Sequence, residues 1–237
     1  MPNPLRILPA LLVAAVAASG RPALPTTIPV TTAVDADAGD GLCSLREAIL
    51  AANTDAAYRE CPAGGGADRI VFDLPLPSAI DLGSDLPPVT ASVAIRGPGA
   101  DQLAIDGQDL HRLFYLLSPA GGAWYLLEDL SLQHGLADDA LGDFGGGVYV
   151  GPGDTVVLSR VVIAENTAAN AGGGVAVDGL VGLPAAAEIE QSIVTGNRAL
   201  GPAGGGGVLV VDSSTATISA SSLVDNSNCP GRPCGTL

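Results

Sequence analysis

From residue 127 onward a short apolar segment returns at near-constant spacing: Leu127-Glu128-Asp129-Leu130-Ser131-Leu132, Leu158-Ser159-Arg160-Val161-Val162-Ile163, Ile189-Glu190-Gln191-Ser192-Ile193-Val194 and Ile218-Ser219-Ala220-Ser221-Ser222-Leu223. The intervals are 31, 31 and 29 residues. Three residues past each segment stands Gly135, Asn166, Asn197 or Asn226. A second apolar strand follows three of these turns, each time led by three glycines: Gly145-Gly146-Gly147-Val148-Tyr149-Val150, Gly172-Gly173-Gly174-Val175-Ala176-Val177 and Gly205-Gly206-Gly207-Val208-Leu209-Val210. Short β-branched strands at a fixed period, with no helical periodicity, predict a solenoid whose coils bury their apolar faces only against one another. The expected fold is all-β, a right-handed parallel β-helix.

Stacked in parallel, these strands place Leu127, Leu158, Ile189 and Ile218 in one interior row and Leu132, Ile163, Val194 and Leu223 in the next. Glycine triplets suit corners that need positive φ or leave no space for a Cβ, and asparagine tolerates the left-handed region better than other non-glycine residues. Stacked asparagine amides also hydrogen-bond along a fibre axis. The reading of Asn166, Asn197 and Asn226 is therefore structural.

Upstream the strands are less regular. Ile70-Val71-Phe72, Ile80-Asp81-Leu82, Val93-Ala94-Ile95 and Leu103-Ala104-Ile105 are punctuated by Gly97-Pro98-Gly99 and Asp106-Gly107, which are turn signals. Ahead of them lies one helix: Ser44 and Glu47 form a capping box, the body runs from Leu45 to Ala52, and Asn53 ends it. A single amphipathic helix before a solenoid reads as a cap over the open strand edges and apolar cross-section of the first coil. The helix stands between Cys43 and Cys61, and Cys229 and Cys234 flank Pro230-Gly231-Arg232-Pro233. In an exported chain four cysteines are most simply two disulfides, in any of three pairings. No histidine stands at zinc-site spacing from them.

Export is the expectation from the N-terminus, where Arg6 precedes an apolar run from Ile7 to Ala18 and small residues Ala15-Val16-Ala17 fit a cleavage site. Residues 1–20 are read as a signal peptide, cleaved near residues 17–23, which leaves no membrane span in the mature chain. No linker divides the remainder: residues 30–75 are the cap and first strands, continuous with the coils of 76–237. All ten basic residues are arginine, and the formal net charge is −15. Such a surface repels nucleic acid and anionic lipid, which argues against both as partners.

Cys43-Ser44-Leu45-Arg46-Glu47-Ala48 spells the hexapeptide of the CSLREA domain, and Ala38-Gly39-Asp40-Gly41, Ala51-Ala52-Asn53 and Asp68-Arg69-Ile70-Val71-Phe72 are similar to the rest of that module, over residues 30–75. Ile95-Arg96-Gly97-Pro98-Gly99-Ala100 and Leu103-Ala104-Ile105-Asp106-Gly107 resemble the β-helix coils that follow it. The Gly-Gly-Gly-Val and asparagine-ended repeats resemble, more weakly, the polymorphic outer-membrane protein repeats of surface adhesins. Those repeats favour Gly-Gly-Ala and a Phe, where this chain has a third glycine and Ile163, Val194 or Leu223. These resemblances imply a bacterial secreted or cell-surface β-helix protein and supply no catalytic residue.

Asp35, Asp37, Asp40 and Glu47 are the candidate calcium ligands. They depart from a strict EF-hand loop, which places its third acid one residue earlier and its closing Glu at position twelve, whereas Glu47 falls at thirteen. Polysaccharide cleavage needs paired carboxylates, or an arginine or lysine beside acids in a groove. Asp138, Asp139 and Asp143 form the nearest acidic group, with His134-Gly135 just before it, but they read as a solvated loop, and His134 and His111 have no partner at recognisable spacing. Arg46, Glu47 and Glu60 read as cap salt bridges. Tyr115, Trp124, Tyr125, Phe144 and Tyr149 read as packing, and a ligand groove, where one exists, is expected along the sheet carrying Trp124 and Asp129. The reading is a non-catalytic, secreted or cell-surface module, adhesive or envelope-structural, binding an extracellular glycan or a host or matrix surface, with no cofactor beyond the calcium candidate. The alternative is a lyase or glycoside hydrolase acting on acidic polysaccharide.

Overall fold

The computed structural model describes residues 25–138 and 142–230. The expected export segment, Asp139 and Cys234 therefore lie outside the described residues. The described residues form a parallel β-solenoid with one helix. β1 (Thr27–Val30) is followed by α1 (Leu45–Thr54), and then by β2 (Asp68–Phe72), β3 (Ser78–Asp81), β4 (Val93–Arg96), β5 (Leu103–Asp106) and β6 (Phe114–Leu116). From Trp124 the coils become regular, with β7 (Trp124–Glu128), β8 (Ser131–Gln133), β9 (Leu136–Ala137) and β10 (Val148–Val150) in the first. The second holds β11 (Thr155–Ser159), β12 (Val162–Ala164), β13 (Thr167–Ala168) and β14 (Val175–Asp178). The third holds β15 (Ala186–Glu190), β16 (Ile193–Thr195), β17 (Arg198–Ala199) and β18 (Val208–Val211), and β19 (Thr215–Ser219), β20 (Ser222–Val224) and β21 (Ser227–Asn228) follow.

Stacking these coils gives a long sheet β1-β2-β4-β7-β11-β15-β19, a second sheet β3-β5-β8-β12-β16-β20, and two four-stranded sheets, β6-β10-β14-β18 and β9-β13-β17-β21. The strands pair in parallel. Register places Ile70, Ile95, Leu127, Leu158, Ile189 and Ile218 in one interior row. Ile80, Ile105, Leu132, Ile163, Val194 and Leu223 form another. Each fully covered Leu or Ile contributes roughly 1.5–3 kcal/mol of burial, so these rows supply most of the cohesion between coils.

The two ends differ. At the first, α1 lays Leu45, Ala48, Ile49 and Ala52 onto the core, all at most 1% exposed. Its capping box is complete: the Glu47 amide donates to the Ser44 hydroxyl, and the Ser44 amide donates to Glu47 Oε2 at 2.9 Å. The helix outruns the predicted end at Asn53, because Asp55, not Asn53, takes the left-handed conformation. Asn53 instead bonds the Pro88 carbonyl and the Thr90 amide, tying the cap to the next coil. Cys43 and Cys61 form a disulfide across the helix, with Cα atoms 5.0 Å apart. Cys229 is also disulfide-bonded. The last described members of the interior rows, Ile218 and Leu223, are 42% exposed.

The asparagines are not the left-handed residues of their corners. Positive φ falls one position earlier, at His134, Glu165, Gly196 and Asp225, and again at Asp129, Arg160, Gln191 and Ala220. Asn166 and Asn197 are fully buried and turn their side chains inward. Asn197 Oδ1 accepts from both the amide and Nδ2 of Asn166, at 3.0 and 2.9 Å, and Asn226 Oδ1 does the same for Asn197. Each Nδ2 also reaches a carbonyl one coil back, that of Leu132, Ile163 or Val194. The third glycine of each triplet makes room for this ladder. A Cβ on Gly207 would sit 2.8 Å from the Asn226 amide carbon, and one on Gly174 3.0 Å from that of Asn197.

Candidate functional site

Strand alternation turns Tyr125 and Leu127 of β7 into the core, so Trp124, Leu126 and Glu128 point outward. In register with them, the outer face of the long sheet carries a row Trp124, Thr155, Ala186, Thr215 and a row Arg96, Glu128, Ser159, Glu190, Ser219. Trp124 is 44% exposed, and its backbone amide is held by the Ser92 hydroxyl at 3.0 Å. This is the sheet on which the sequence expects a ligand groove, and its outer face carries the exposed indole. Rows succeed one another at the ~4.8 Å strand spacing.

At the edge of the strip the charges answer one another. Arg96 pairs with Glu128 at 2.9 Å, and Arg160, one coil on, pairs with Glu128 at 2.6 Å and with Asp129 at 2.7 Å. Arg160 owes this reach to its left-handed backbone, which turns the side chain back over the preceding coil. The Asp129 and Glu128 hydrogen bonds push its pKa further up.

At the next corner His134 lies between two carboxylates, Nδ1 at 2.9 Å from Asp106 and Nε2 at 3.4 Å from Glu165. Gln133 and the Gln108 amide also bond Asp106, each at 2.8 Å. Partial burial lowers the imidazole pKa, but the bond to Asp106 and the charges of Asp106, Asp109 and Glu165 outweigh it and leave the pKa raised. Burial likewise raises the Asp106 pKa, and the Gln133, Gln108 and His134 contacts overcome it, leaving it lowered. His134 thus has the partners that sequence spacing did not reveal. The signal was present in the period, since Glu165 lies 31 residues on from His134 and Asp106 one shorter coil back. His111 lies 3.5 Å from Asp85.

The four calcium candidates are not brought together. Asp35 binds Arg46 at 2.6 Å, and Asp37 binds Arg59 at 2.9 Å and the Tyr58 hydroxyl at 3.0 Å. Asp40 closes its own turn through the Leu42 amide, and Glu47, 1% exposed, is occupied by the Ser44 and Ala38 amides. Among the described residues no three His, Cys, Asp or Glu side chains form a group able to hold a metal. Of the predicted cap salt bridges, Arg46 makes one, while Glu47 serves the capping box. Asp138 and Asp143 are exposed outside the strands.

The aromatics separate into distinct environments. Tyr125 is interior and donates to the Val89 carbonyl, with its pKa raised by burial. Tyr115 and Tyr149 stack at 4.6 Å on the outside of the β6-β10-β14-β18 sheet, where Tyr149 donates to Asp178. Burial and then the charge of Asp212 raise the Asp178 pKa against that bond. Asp154, fully buried, accepts from the Ser118 and Ala123 amides and fixes the loop before β7. Leu117, Pro119, Pro152, Leu180 and Leu183 line a shallow apolar cleft of about 270 Å³ beside that loop. No helix among the described residues is long and apolar enough to cross a membrane. Comparison with protein-family models, with curated proteins and with solved structures found no match for the chain.

Proposed function

We propose that this chain is a non-catalytic module of the secreted or cell-surface β-helix type, carrying a CSLREA-like cap, and that it attaches to an extracellular glycan or matrix surface through the outer face of its long sheet. The observation that supports this is Trp124: a large indole, 44% exposed, on the outer face of the long sheet, in register with Thr155 and, past Ala186, Thr215. Exposed rings on rigid sheets stack on the apolar faces of sugars, and hydroxyls in register along the axis complement an extended chain. The arginines of the same strip are engaged by Glu128 and Asp129, which favours a neutral glycan over an acidic one.

The test is binding of the chain to an array of glycans and matrix proteins, with and without calcium, while unsaturated sugar products are read by absorbance in the same wells. Binding without turnover, lost in Trp124→Ala and retained in His134→Gln, is the expected result. Turnover abolished by His134→Gln or Asp106→Asn would replace this reading with the polysaccharide-cleaving one, in which Asp106 orients the imidazole as a proton acceptor. Binding unaffected by Trp124→Ala would remove the proposed face.

A further inference from the structure

The corner between β14 and β15 is built unlike its counterparts. It holds seven residues, 179–185, where the corners before β11 and β19 hold four and three. Its apolar side chains turn out to solvent: Leu180 is 55%, Val181 95% and Leu183 48% exposed. They stand on a tight hairpin, in which Leu180 and Leu183 exchange backbone hydrogen bonds at 3.0 and 2.8 Å and Gly182 takes φ +85°. The base of the hairpin is tied to both neighbouring coils, since the Leu183 carbonyl accepts from the Gly153 amide and the Ala185 amide donates to the Ser214 hydroxyl, each at 3.1 Å. A tip fixed in this way has little order left to gain when something covers it. The apolar cleft of about 270 Å³ lies beside it, between Leu180 and Leu183 on one side and Leu117 and Pro119 on the other.

Charge and size select the occupant. Residues 117–123, 151–153 and 179–187 carry no ionisable side chain, in a chain of formal net charge −15. Asp154, which falls among them, is fully buried and taken up by the Ser118 and Ala123 amides. An edge without charge offers no complement to a basic or an acidic partner, and the acidic remainder of the chain repels anionic lipid. The chemistry that fits is apolar and electrically neutral. A protein partner is disfavoured by size: the eight residues lining the cleft, with Val181, fall well short of the roughly 20–30 residues a side that a stable interface uses. A bilayer sets no such minimum, because each apolar side chain that enters it contributes by its own area. Leu110, 65% exposed, lacks this setting, since it stands between Asp109 and His111. We infer that the 180–183 hairpin inserts Val181 and its flanking leucines into the surface of an electrically neutral lipid bilayer, holding the solenoid there by one corner. The inference does not depend on the glycan-binding reading.

An environment-sensitive dye on Val181→Cys, in the full chain mixed with phosphatidylcholine vesicles, tests it. Emission is expected to shift to the blue and to be quenched by nitroxide-bearing lipid, while the same dye on Leu110→Cys stays unchanged. The dye reports position 181 itself, so attachment through another segment does not count, and the 95% exposure of Val181 makes the substitution harmless to the fold. Replacing a third of the lipid with phosphatidylserine should weaken the response at low salt, and molar salt should restore it. Adding Leu180→Asp to the labelled chain should raise the lipid concentration for half of the shift at least about tenfold, as loss of one apolar side chain from lipid requires. No shift at position 181, equal shifts at 181 and 110, a response that needs phosphatidylserine, or a half-shift concentration unmoved by Leu180→Asp would each overturn the inference. So would a dimer in sedimentation equilibrium that Val181→Asp dissolves, which would assign the hairpin to a second copy.

Discussion

Two successive corners of the coils differ in how they tie neighbouring coils together. After the long strand the chain turns through Asp129, Arg160, Gln191 and Ala220, and between the coils of β7 and β11 the contact at this corner is ionic and partly exposed, Arg160 with Glu128 and Asp129. After the next strand it turns through His134, Glu165, Gly196 and Asp225, and asparagines follow the last three, with Asn166 and Asn197 fully buried. The first corner tolerates any residue able to adopt positive φ, so its identity changes from coil to coil. The second repeats the same side chain because each amide both accepts from one coil and donates to another. A fully satisfied amide inside the core keeps the strength that low dielectric gives a hydrogen bond. An ion pair in water gives most of its Coulomb energy back to solvent. The difference teaches that the stack is specified from within, and that its charged exterior is free to serve other ends.

Removing Asn197 should separate the two corners most sharply. Asn197→Ala strips the acceptor from the Asn166 amide and Nδ2 and the donor from the Ile163 and Thr195 carbonyls in a fully buried site. A loss of about 3–5 kcal/mol in urea denaturation is expected. Next is Cys43→Ser with Cys61→Ser, which releases a cross-link of 18-residue separation and should lower stability by about 3 kcal/mol. Gly173→Ala tests the space beside the ladder. Its Cβ would lie 2.2 Å from the Arg198 carbonyl oxygen, for at least about 2 kcal/mol, whereas Gly182→Ala, with open space but φ +85°, should lose about 1 kcal/mol through backbone strain alone. At the ionic corner, Arg160→Ala should lose under about 1 kcal/mol, and molar salt should erase the difference. An Arg160 effect equal to that of Asn197 would break the comparison.

His134 sharpens it through pH. Its folded pKa is raised above the ordinary 6.5, so the stabilisation is complete below that value and is lost as pH rises through the higher folded one. Asp106 runs the other way: its folded pKa is lowered from 3.8, and its contribution holds above that value and is lost as pH falls through the lower one. Melting temperature should therefore decline gently as pH rises beyond 6.5, and His134→Gln should flatten that slope. An identical slope in the variant would show that the imidazole carries none of it.

Much of this architecture was legible because its causes repeat. The interval of 31 residues, the rows of Leu, Ile and Val and the capping box at Ser44 and Glu47 each follow from one residue type at one spacing. The ladder of Asn166, Asn197 and Asn226 was legible too, but not its geometry: the sequence suggested left-handed asparagines, and the strain falls on the residue before. Glu165, Gly196 and Asp225 share no chemistry that would mark them. Asp35, Asp37, Asp40 and Glu47 look alike on paper, and only their separate partners, Arg46, Arg59, the Leu42 amide and the Ser44 amide, set them apart. The His134 cluster escaped because its members lie one coil apart, a distance that reads as remote until the coil is closed. Trp124 was read as packing, and the structure leaves it 44% exposed, because exposure depends on strand phase, which pairing fixes.

The ladder bonds between coils join residues 29 to 34 positions apart, one coil and no more. Under tension applied along the chain, such a molecule has no distant fastening to hold it as a block. Unzipped from the side of β19–β21, each yielding coil exposes the next to the same load. Each step would release roughly 100 Å of extended chain, from about 31 residues at some 3.4 Å each. Anchored at a surface and pulled through a bound partner, this protein would lengthen in even increments, with the disulfide-bound helix the last part to give way.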